Sequence, residues 1–280
     1  MSERGGNDWL ARARKAADLP PLRPRESLHL DVDGRSLLVG SIEGNTAERV
    51  ANAGLPIRRA DEGWQVDAPA TPSLAAIAAW LRDAGLAGRW RDELLAVVDQ
   101  DERAIAEVER SVVRVLGLTT YAVHLVAFTF DGQRMWVQQR AHDKATDPGL
   151  WDTTMGGQVA AGETVERALA RETWEEAGLD VATLLDLRRG ERIMFRRPVA
   201  EGYQVEHIDV YIARVPAEVE PVNRDGEVAR FECVAAAALE ERLERGEFTL
   251  EASLVLVAAT PRPLAFDQPK CGTVRRWQRR

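Results

Sequence analysis

The stretch Gly157 to Leu179 reads GQVAAGETVERALARETWEEAGL and holds the densest set of chemically capable residues in the chain. Gly162, Glu163 and Thr164 offer a polar helix start, no proline or glycine interrupts the run to Ala177, and Gly178 supplies a stop. One helix of about four turns follows. At roughly 100° per residue, Val165, Ala168 and Leu169 share a face, Glu172 and Glu176 extend the same line, and Glu175 stands about one side chain away. Carboxylates spaced i, i+3 and i+4 cost a helix about a few tenths of a kcal/mol per pair, more when partly buried, unless something neutralises them. A divalent cation that prefers hard oxygen ligands, Mg²⁺ or Mn²⁺, would do so and would bridge to substrate phosphates. The competing reading is an ordinary solvated acidic face, because glutamate is a good helix former and Arg171 can pair with Glu175 at i+4. The glycines weigh against it: Gly156-Gly157 before the helix and Gly162 at its start make a loop whose backbone can approach a phosphate or shape a metal pocket.

The elements around this stretch divide the chain near residue 117. On the N-terminal side, residues 7–17 read as a short amphipathic helix halted by Pro20 and Pro21. Ser27–Val32 and Ser36–Val39 flank the turn signal Asp33-Gly34, so a hairpin is expected, and Trp64–Val66 adds a strand. Helices are expected over Pro72–Ala84 and Glu102–Leu116. On the C-terminal side, Thr119–Phe130 and Met135–Gln139 read as strands joined by Asp131-Gly132. A loop over Ala141–Leu150, the strand-to-helix passage Trp151–Gly178, strands between Leu184 and Val215, a loop at Asp225-Gly226 and a helix near Ala235–Arg245 complete the reading. The expectation is an α+β protein with a smaller N-terminal α+β domain, residues 1–117, before a second domain, residues 118–280.

With 280 residues, 45% hydrophobic and 29% charged, the chain suits an ordinary two-domain globular protein. Its net charge of −8 argues against generic binding to a nucleic-acid backbone, so no nucleic-acid polymer is expected as a partner. Cys233 and Cys271 lack metal-site or disulfide-framework spacing and fit free thiols in a reducing cytoplasm. No apolar run approaches the ~20 residues of a membrane span, and the first ten residues carry no apolar signal core. A soluble cytoplasmic protein is expected, with a homodimer as the one assembly contemplated.

Gly157, five residues, Glu163, seven residues, Arg171-Glu172, Thr173, one residue, Glu175-Glu176, Ala177, Gly178 and Leu179 resemble the Nudix box, the signature of hydrolases acting on nucleoside diphosphates linked to another group. Thr173 stands where that family usually has an aliphatic residue. The resemblance implies an α/β/α sandwich with a mixed sheet, Mg²⁺ held chiefly by Glu172, Glu175 and Glu176, and Arg171 orienting a glutamate. It also implies attack of water on a diphosphate phosphorus, with the metal polarising phosphoryl oxygens and lowering the pKa of the attacking water. The catalytic set would be Arg171, Glu172 and Glu175, acting on a small-molecule diphosphate. A narrower resemblance runs over residues 105–179. Val108-Glu109-Arg110, Leu116-Gly117, Val123-His124, Trp136 to Arg140, Lys144, Pro148-Gly149, Asp152 and Gly156-Gly157 are similar to the Nudix subgroup associated with thiamine pyrophosphokinase, which has an additional N-terminal domain. That subgroup implies hydrolysis of thiamine diphosphate, especially its oxidised or damaged forms, to the monophosphate.

Arg140 and Lys144 follow a strand and precede the glycines; with Gly156 and Gly157 they are the expected substrate-binding residues, against an alternative as a surface pair. Glu227 reads slightly more as a turn-flanking glutamate than as a further metal ligand or base, and Glu206 and Asp209 are weaker candidates. His124 and His207 read as satisfied strand histidines, and Trp64, Trp136, Trp151 and Trp174 as packing residues more than stacking platforms. Arg275 to Arg280 resembles a small basic patch on a tail. Two other functions share the fold. The isopentenyl diphosphate isomerases use a cysteine just upstream of the box, whereas the first cysteine here is Cys233. Non-catalytic Nudix-fold modules tend to lose box carboxylates, whereas Glu163, Glu172, Glu175 and Glu176 are all in place.

Overall fold

The computed structural model describes residues 8–260; Cys271 and the basic run Arg275 to Arg280 lie outside the described residues. After helix α1 (Asp8–Ala17), strands β1 (Arg25–Val32) and β2 (Arg35–Glu43) pair antiparallel around Asp33-Gly34. Both turn residues have positive φ, 51° and 76°, as a two-residue hairpin turn of the primed type requires. Helix α2 (Gly44–Asn52), strands β3 (Ile57–Ala60) and β4 (Gly63–Val66) and helix α3 (Ala70–Asp83) follow, giving a four-stranded sheet in the order β2-β1-β4-β3. Leu74, Ile77, Ala78 and Leu81 form the buried stripe of α3.

The expected helix over Glu102–Leu116 is absent. Strands β5 (Leu94–Val98) and β6 (Ala104–Glu109) form a hairpin in its place, and only Arg110–Val112 is helical, as one 3₁₀ turn. Ile105, Val108, Val112 and Leu116 imitate helical spacing. The side chains that are actually buried, Ala106 and Val108, recur with period two and sit opposite Val97 and Leu95. Cross-strand packing overrides the local pattern. A single apolar cluster from Leu28 to Leu118 joins this hairpin to α3 and the four-stranded sheet.

The second sheet has seven strands. They are β7 (Thr119–Phe128), β8 (Arg134–Arg140), β9 (Trp151–Asp152), β10 (Met155–Gln158), β11 (Leu185–Val199), β12 (Gly202–Arg214) and β13 (Val228–Ala235). Their order is β11-β12-β7-β8-β13, with β10 on β7 and β9 on β8; β12 and β7 run parallel, so the sheet is mixed. Helix α4 (Val165–Ala177) covers one face, with Val123, Leu125, Ala127 and Tyr211 beneath it. Helices α5 (Ala236–Glu244) and α6 (Leu250–Ala259), joined by Trp9 and Ala17 of α1, cover the other, over Ala122, Val126, Ile208 and Val210. Alternation along β7 and β12 thus serves both layers of an α/β/α sandwich. Helix α6 contains Leu254–Ala259, a run that gives no helical periodicity because it is apolar on nearly every side; burial explains it. No helix among the described residues is long and apolar enough to cross a membrane.

The two sheets are tied to the segment that links them, residues 110–118, and the loop before α4 is tied to the β5–β6 hairpin. Ser41 N–H donates to Leu116 O at 3.0 Å and Tyr203 N–H to Arg114 O at 2.8 Å. Ala161 N–H, in the loop before α4, donates to Leu94 O of β5 at 2.8 Å. The β5–β6 hairpin therefore rests directly against the glycine loop.

Candidate active site

Helix α4 begins and ends as its residues dictate. The Thr164 hydroxyl accepts from Arg167 N–H, and Gly178 takes the left-handed conformation, φ 63°, that closes the last turn. Arg171, on the second turn, is the hub of the site. Its Nε and Nη2 grip both oxygens of Glu163 at 3.0 and 2.8 Å, Nη1 donates to Glu172 at 2.8 Å and to Glu175 at 3.2 Å, and Nη2 also reaches Gln158 O at 3.1 Å. This hold draws Glu163 well below its ordinary pKa. Glu172 goes the other way: burial raises it and outweighs Arg171.

Gly157 lies against Glu172 so closely that a Cβ there would stand 2.0 Å from the carboxyl carbon. A glycine at 157 is thus a steric condition for the position of Glu172. Gly156 has the same relation to His124, whose ring would lie 2.6 Å from such a Cβ.

Glu176 is 2% exposed and faces the sheet. Gln138 Nε2 donates to its Oε2 at 2.9 Å and Gly156 N–H at 3.1 Å, while Lys144 Nζ stands 3.6 Å from Oε1. Burial outweighs these partners and pushes its pKa up to about 7. Lys144 also pairs with Glu227 at 2.5 Å, and oxygens of Glu176, Asp225 and Glu227 lie within 4.8 Å of one another. Burial lifts the Glu227 pKa, but Lys144, with Arg91 and Arg110 behind it, more than offsets that and holds it low.

Glu172 and Glu175 therefore gather on Arg171, whereas Glu176 gathers with Lys144, Gln138 and Glu227. Arg140 is braced, with Nη1 on Asp152 at 3.1 Å and Nη2 on Thr146 O at 2.9 Å. Glu206 accepts from Gln158 at 2.5 Å and Gln204 at 3.1 Å at the back of the cleft. Asp209 belongs to ion pairs with Arg189 and Arg192. His124 bonds Thr153 at 3.0 Å and His207 stacks edge-on with Tyr121. Of the tryptophans, Trp64 packs in the N-terminal core, Trp174 lies under Arg224 and Trp151 under Arg230 and Arg242; no tryptophan lines the cleft among the described residues.

The cleft itself is about 360 Å³, bounded by Gly156, Gly157, Arg140, Lys144 and Glu227 on one side. Arg89, Arg91, Arg110 and Arg114 of the N-terminal unit form the other side. The sequence reading missed these four as site residues. Gly88-Arg89-Trp90-Arg91 was the local signal available, and nothing in it points to a site beginning at residue 157.

The donor set fits a hard divalent cation. Two mostly buried carboxylates lack full compensation, Gly157 leaves the room in which Glu172 sits, and Gln138 Oε1 is buried with no partner beside Glu176. Of the expected ligands Glu172, Glu175 and Glu176, only Glu176 belongs to the set of carboxylates found within 4.8 Å of one another among the described residues, and its partners there are Asp225 and Glu227.

Comparison with known proteins gives a consistent result. The NUDIX domain family matches residues 118–252. An uncharacterised Nudix hydrolase of Pseudomonas aeruginosa is 37% identical over 106 residues, covering 38% of this chain and 60% of that protein. Chloroplastic Nudix hydrolase 24 of Arabidopsis thaliana is 28% identical over 202 residues, covering 67% of this chain and 52% of its own length. That match is longer than the part of the chain from residue 118 onward, so it reaches into the N-terminal unit. An isopentenyl-diphosphate Delta-isomerase of Streptomyces coelicolor is 33% identical over 135 residues, covering 48% of this chain and 67% of that protein. The chain spans only 60% and 52% of the first two relatives.

Two expectations follow from the geometry. Gly157→Ala should displace the Glu172 carboxyl, leave the far-UV circular dichroism unchanged, and weaken Mg²⁺ affinity at least about tenfold by calorimetry, as loss of one aligned ligand does; undiminished affinity would contradict the steric account. The second concerns protons and cations competing for Glu176. Because its pKa is raised in the folded protein, its contribution to stability is present at low pH and is lost as pH climbs through about 7. A cation needs the ionised form, so millimolar Mg²⁺ should raise the melting temperature by more at about pH 8 than at about pH 5.5. Equal shifts at both values would remove Glu176 from the ligand set.

Proposed function

The chain belongs to the Nudix family, and on that premise we propose that it is a Mg²⁺-dependent diphosphohydrolase that cleaves a diphosphate linkage by attack of water on phosphorus. The observation that carries the reading is the pair of buried carboxylates, Glu172 and Glu176, packed against Gly157 and Gly156 of the cleft lining and only partly compensated by Arg171 and Lys144. Mg²⁺ supplies Lewis-acid polarisation of the phosphoryl oxygens and a more acidic water. The chain's own residues do the positioning. Arg171 spends all its donors on Glu163, Glu172, Glu175 and the Gln158 carbonyl, which fixes the helix to the glycine loop. Gln138 and Gly156 N–H hold Glu176 in place beside the glycine loop. Lys144 and Arg140, on the same side of the cleft as Gly156 and Gly157, present cations to a diphosphate, the first as a point charge shared with Glu176 and Glu227 and the second in a braced fork.

The substrate we propose is thiamine diphosphate or one of its oxidised forms, released as the monophosphate. The marks from Val108 to Gly157 support this, together with an N-terminal unit whose arginines line the cleft. Isomerase chemistry is the second reading, favoured by the identity to the Streptomyces enzyme. The residues before the box speak against it: Trp151 to Gly156 contain no cysteine, and Cys233 sits on β13, outside the cleft lining.

The test is monophosphate release, with and without Mg²⁺, from thiamine diphosphate, its oxidised analogues, ADP-ribose, NADH and nucleoside triphosphates. Turnover should require the metal and favour the thiamine compounds. Preference for a nucleotide would discard the thiamine assignment, and silence across the panel would discard the hydrolase. Glu176→Gln should lower kcat/KM by roughly three orders of magnitude. The same change removes a buried charge while keeping the side chain's shape, so the metal-free melting temperature at about pH 8 should hold or rise. Near wild-type turnover in this variant would sink the ligand assignment.

A further inference from the structure

On the reading that the cleft is a hydrolase site, we propose that the N-terminal unit supplies an arginine wall that selects diphosphates ending in a free terminal phosphate, with Arg91 and Arg110 as the specificity-determining pair. Behind the cleft lies a recess of about 110 Å³ between the two units, lined by the same four arginines together with Ser111, Gln158 and Glu206. It is far below the ~300 to 1,000 Å³ that pockets for organic groups occupy. It suits a phosphate and not a second nucleoside or sugar.

The wall is built. Glu109 is 4% exposed, yet its carboxylate accepts three backbone N–H groups, from Arg91 at 2.9 Å, Glu93 at 3.1 Å and Ser111 at 3.3 Å. The segment Gly88–Glu93 is stitched to its neighbour by Gly88 N–H on Ser111 O at 3.0 Å and Arg110 N–H on Glu93 O at 2.9 Å. A buried carboxylate satisfied by backbone leaves the guanidinium groups free of it. Arg110 is steadied by Glu93 at 2.7 Å and Arg114 by Glu201 at 3.4 Å. Arg89 and Arg91 have no carboxylate partner within 4.0 Å among the described residues. Ser111, 9% exposed and with a buried hydroxyl that has no hydrogen-bond partner, is among the residues lining the recess.

The charge balance selects the ligand. Against the four guanidinium groups the recess sets only Glu201, already on Arg114, and Glu206, which accepts from Thr120, Gln158 and Gln204. A terminal phosphate offers roughly 1.5 to 2 negative charges and three acceptor oxygens at neutral pH. A phosphate esterified on both sides offers one charge and two oxygens, and carries an organic group that the recess does not hold. Forked guanidinium donors favour the former.

The experiment compares kcat/KM for ADP and thiamine diphosphate, which end in a free phosphate, with ADP-ribose, which does not, in wild type, Arg91→Gln and Arg110→Gln. The ratio of free-ended to capped turnover should fall roughly 10- to 100-fold in each variant, mostly through KM, as lost charge-assisted hydrogen bonds do. Equal losses on both classes, or none, would overturn the wall. A second readout needs no turnover: calorimetric titration with inorganic pyrophosphate in EDTA should show weaker binding to Arg91→Gln than to wild type. Arginine-dependent binding in a wild type that hydrolyses nothing would uphold the anion site and remove the hydrolase reading. Robust hydrolysis with arginine-independent binding would do the reverse.

Discussion

Everything at this site depends on one side chain placed among three carboxylates. Arg171 binds Glu163 on the loop, Glu172 and Glu175 on its own helix, and the Gln158 carbonyl on β10. A guanidinium has five donors in a fixed plane, so it can serve loop, helix and strand at once, where an ammonium has three donors on a single atom. The result is a carboxylate array that survives burial. Glu163 is held firmly ionised, whereas Glu172 and Glu176 sit where desolvation exceeds compensation. Such an arrangement is unfavourable for the fold alone, and it is what a cation-binding site requires.

The scaffold makes that arrangement affordable through register. Strand β10 pairs with β7 so that Gly156 lies opposite His124 and Gly157 opposite Val123. That pairing brings backbone without side chains up to Glu172 and Glu176 from below. A shift of one residue would exchange the two glycines and invert every neighbouring side chain. The apolar floor under α4, from Val123 to Ala127, fixes the register because the opposite face of β7 is committed to the other core.

How much of this was legible in the sequence follows from how local each feature is. The hairpin at Asp33-Gly34 and helix α4 with Thr164 and Gly178 at its ends are specified by neighbours in the chain, and they were read correctly. Strand β6 was not, because Ile105, Val108, Val112 and Leu116 imitate a helical stripe and only pairing with β5 decides otherwise. Helix α6 offered no period to read, being buried on nearly all sides. The box residues were legible because one helix carries them. Gln138 reaches Glu176, and the four arginines reach the cleft, from strands and loops distant in sequence, so no spacing rule could assemble them.

The N-terminal unit answers an electrostatic problem that the Nudix domain poses. The chain carries a net charge of −8, and on the proposed function its cleft would have to admit a polyanion beside several carboxylates. Lys144 offsets part of that field, but it is already shared between Glu176 and Glu227. Positive charge must come from outside the box, on a support rigid enough that the arginines do not collapse onto the very glutamates they face. Glu109 meets that need by tying the Arg91 backbone in place, and the Ala161 to Leu94 hydrogen bond sets the hairpin at a fixed distance from the glycine loop. On that function, a guanidinium held at a distance would attract the anion without pairing with the carboxylates it faces. The N-terminal unit's arginines are therefore part of the cleft's electrostatics, and in the proposed wall the spacing between the two units would set which anion fits between them.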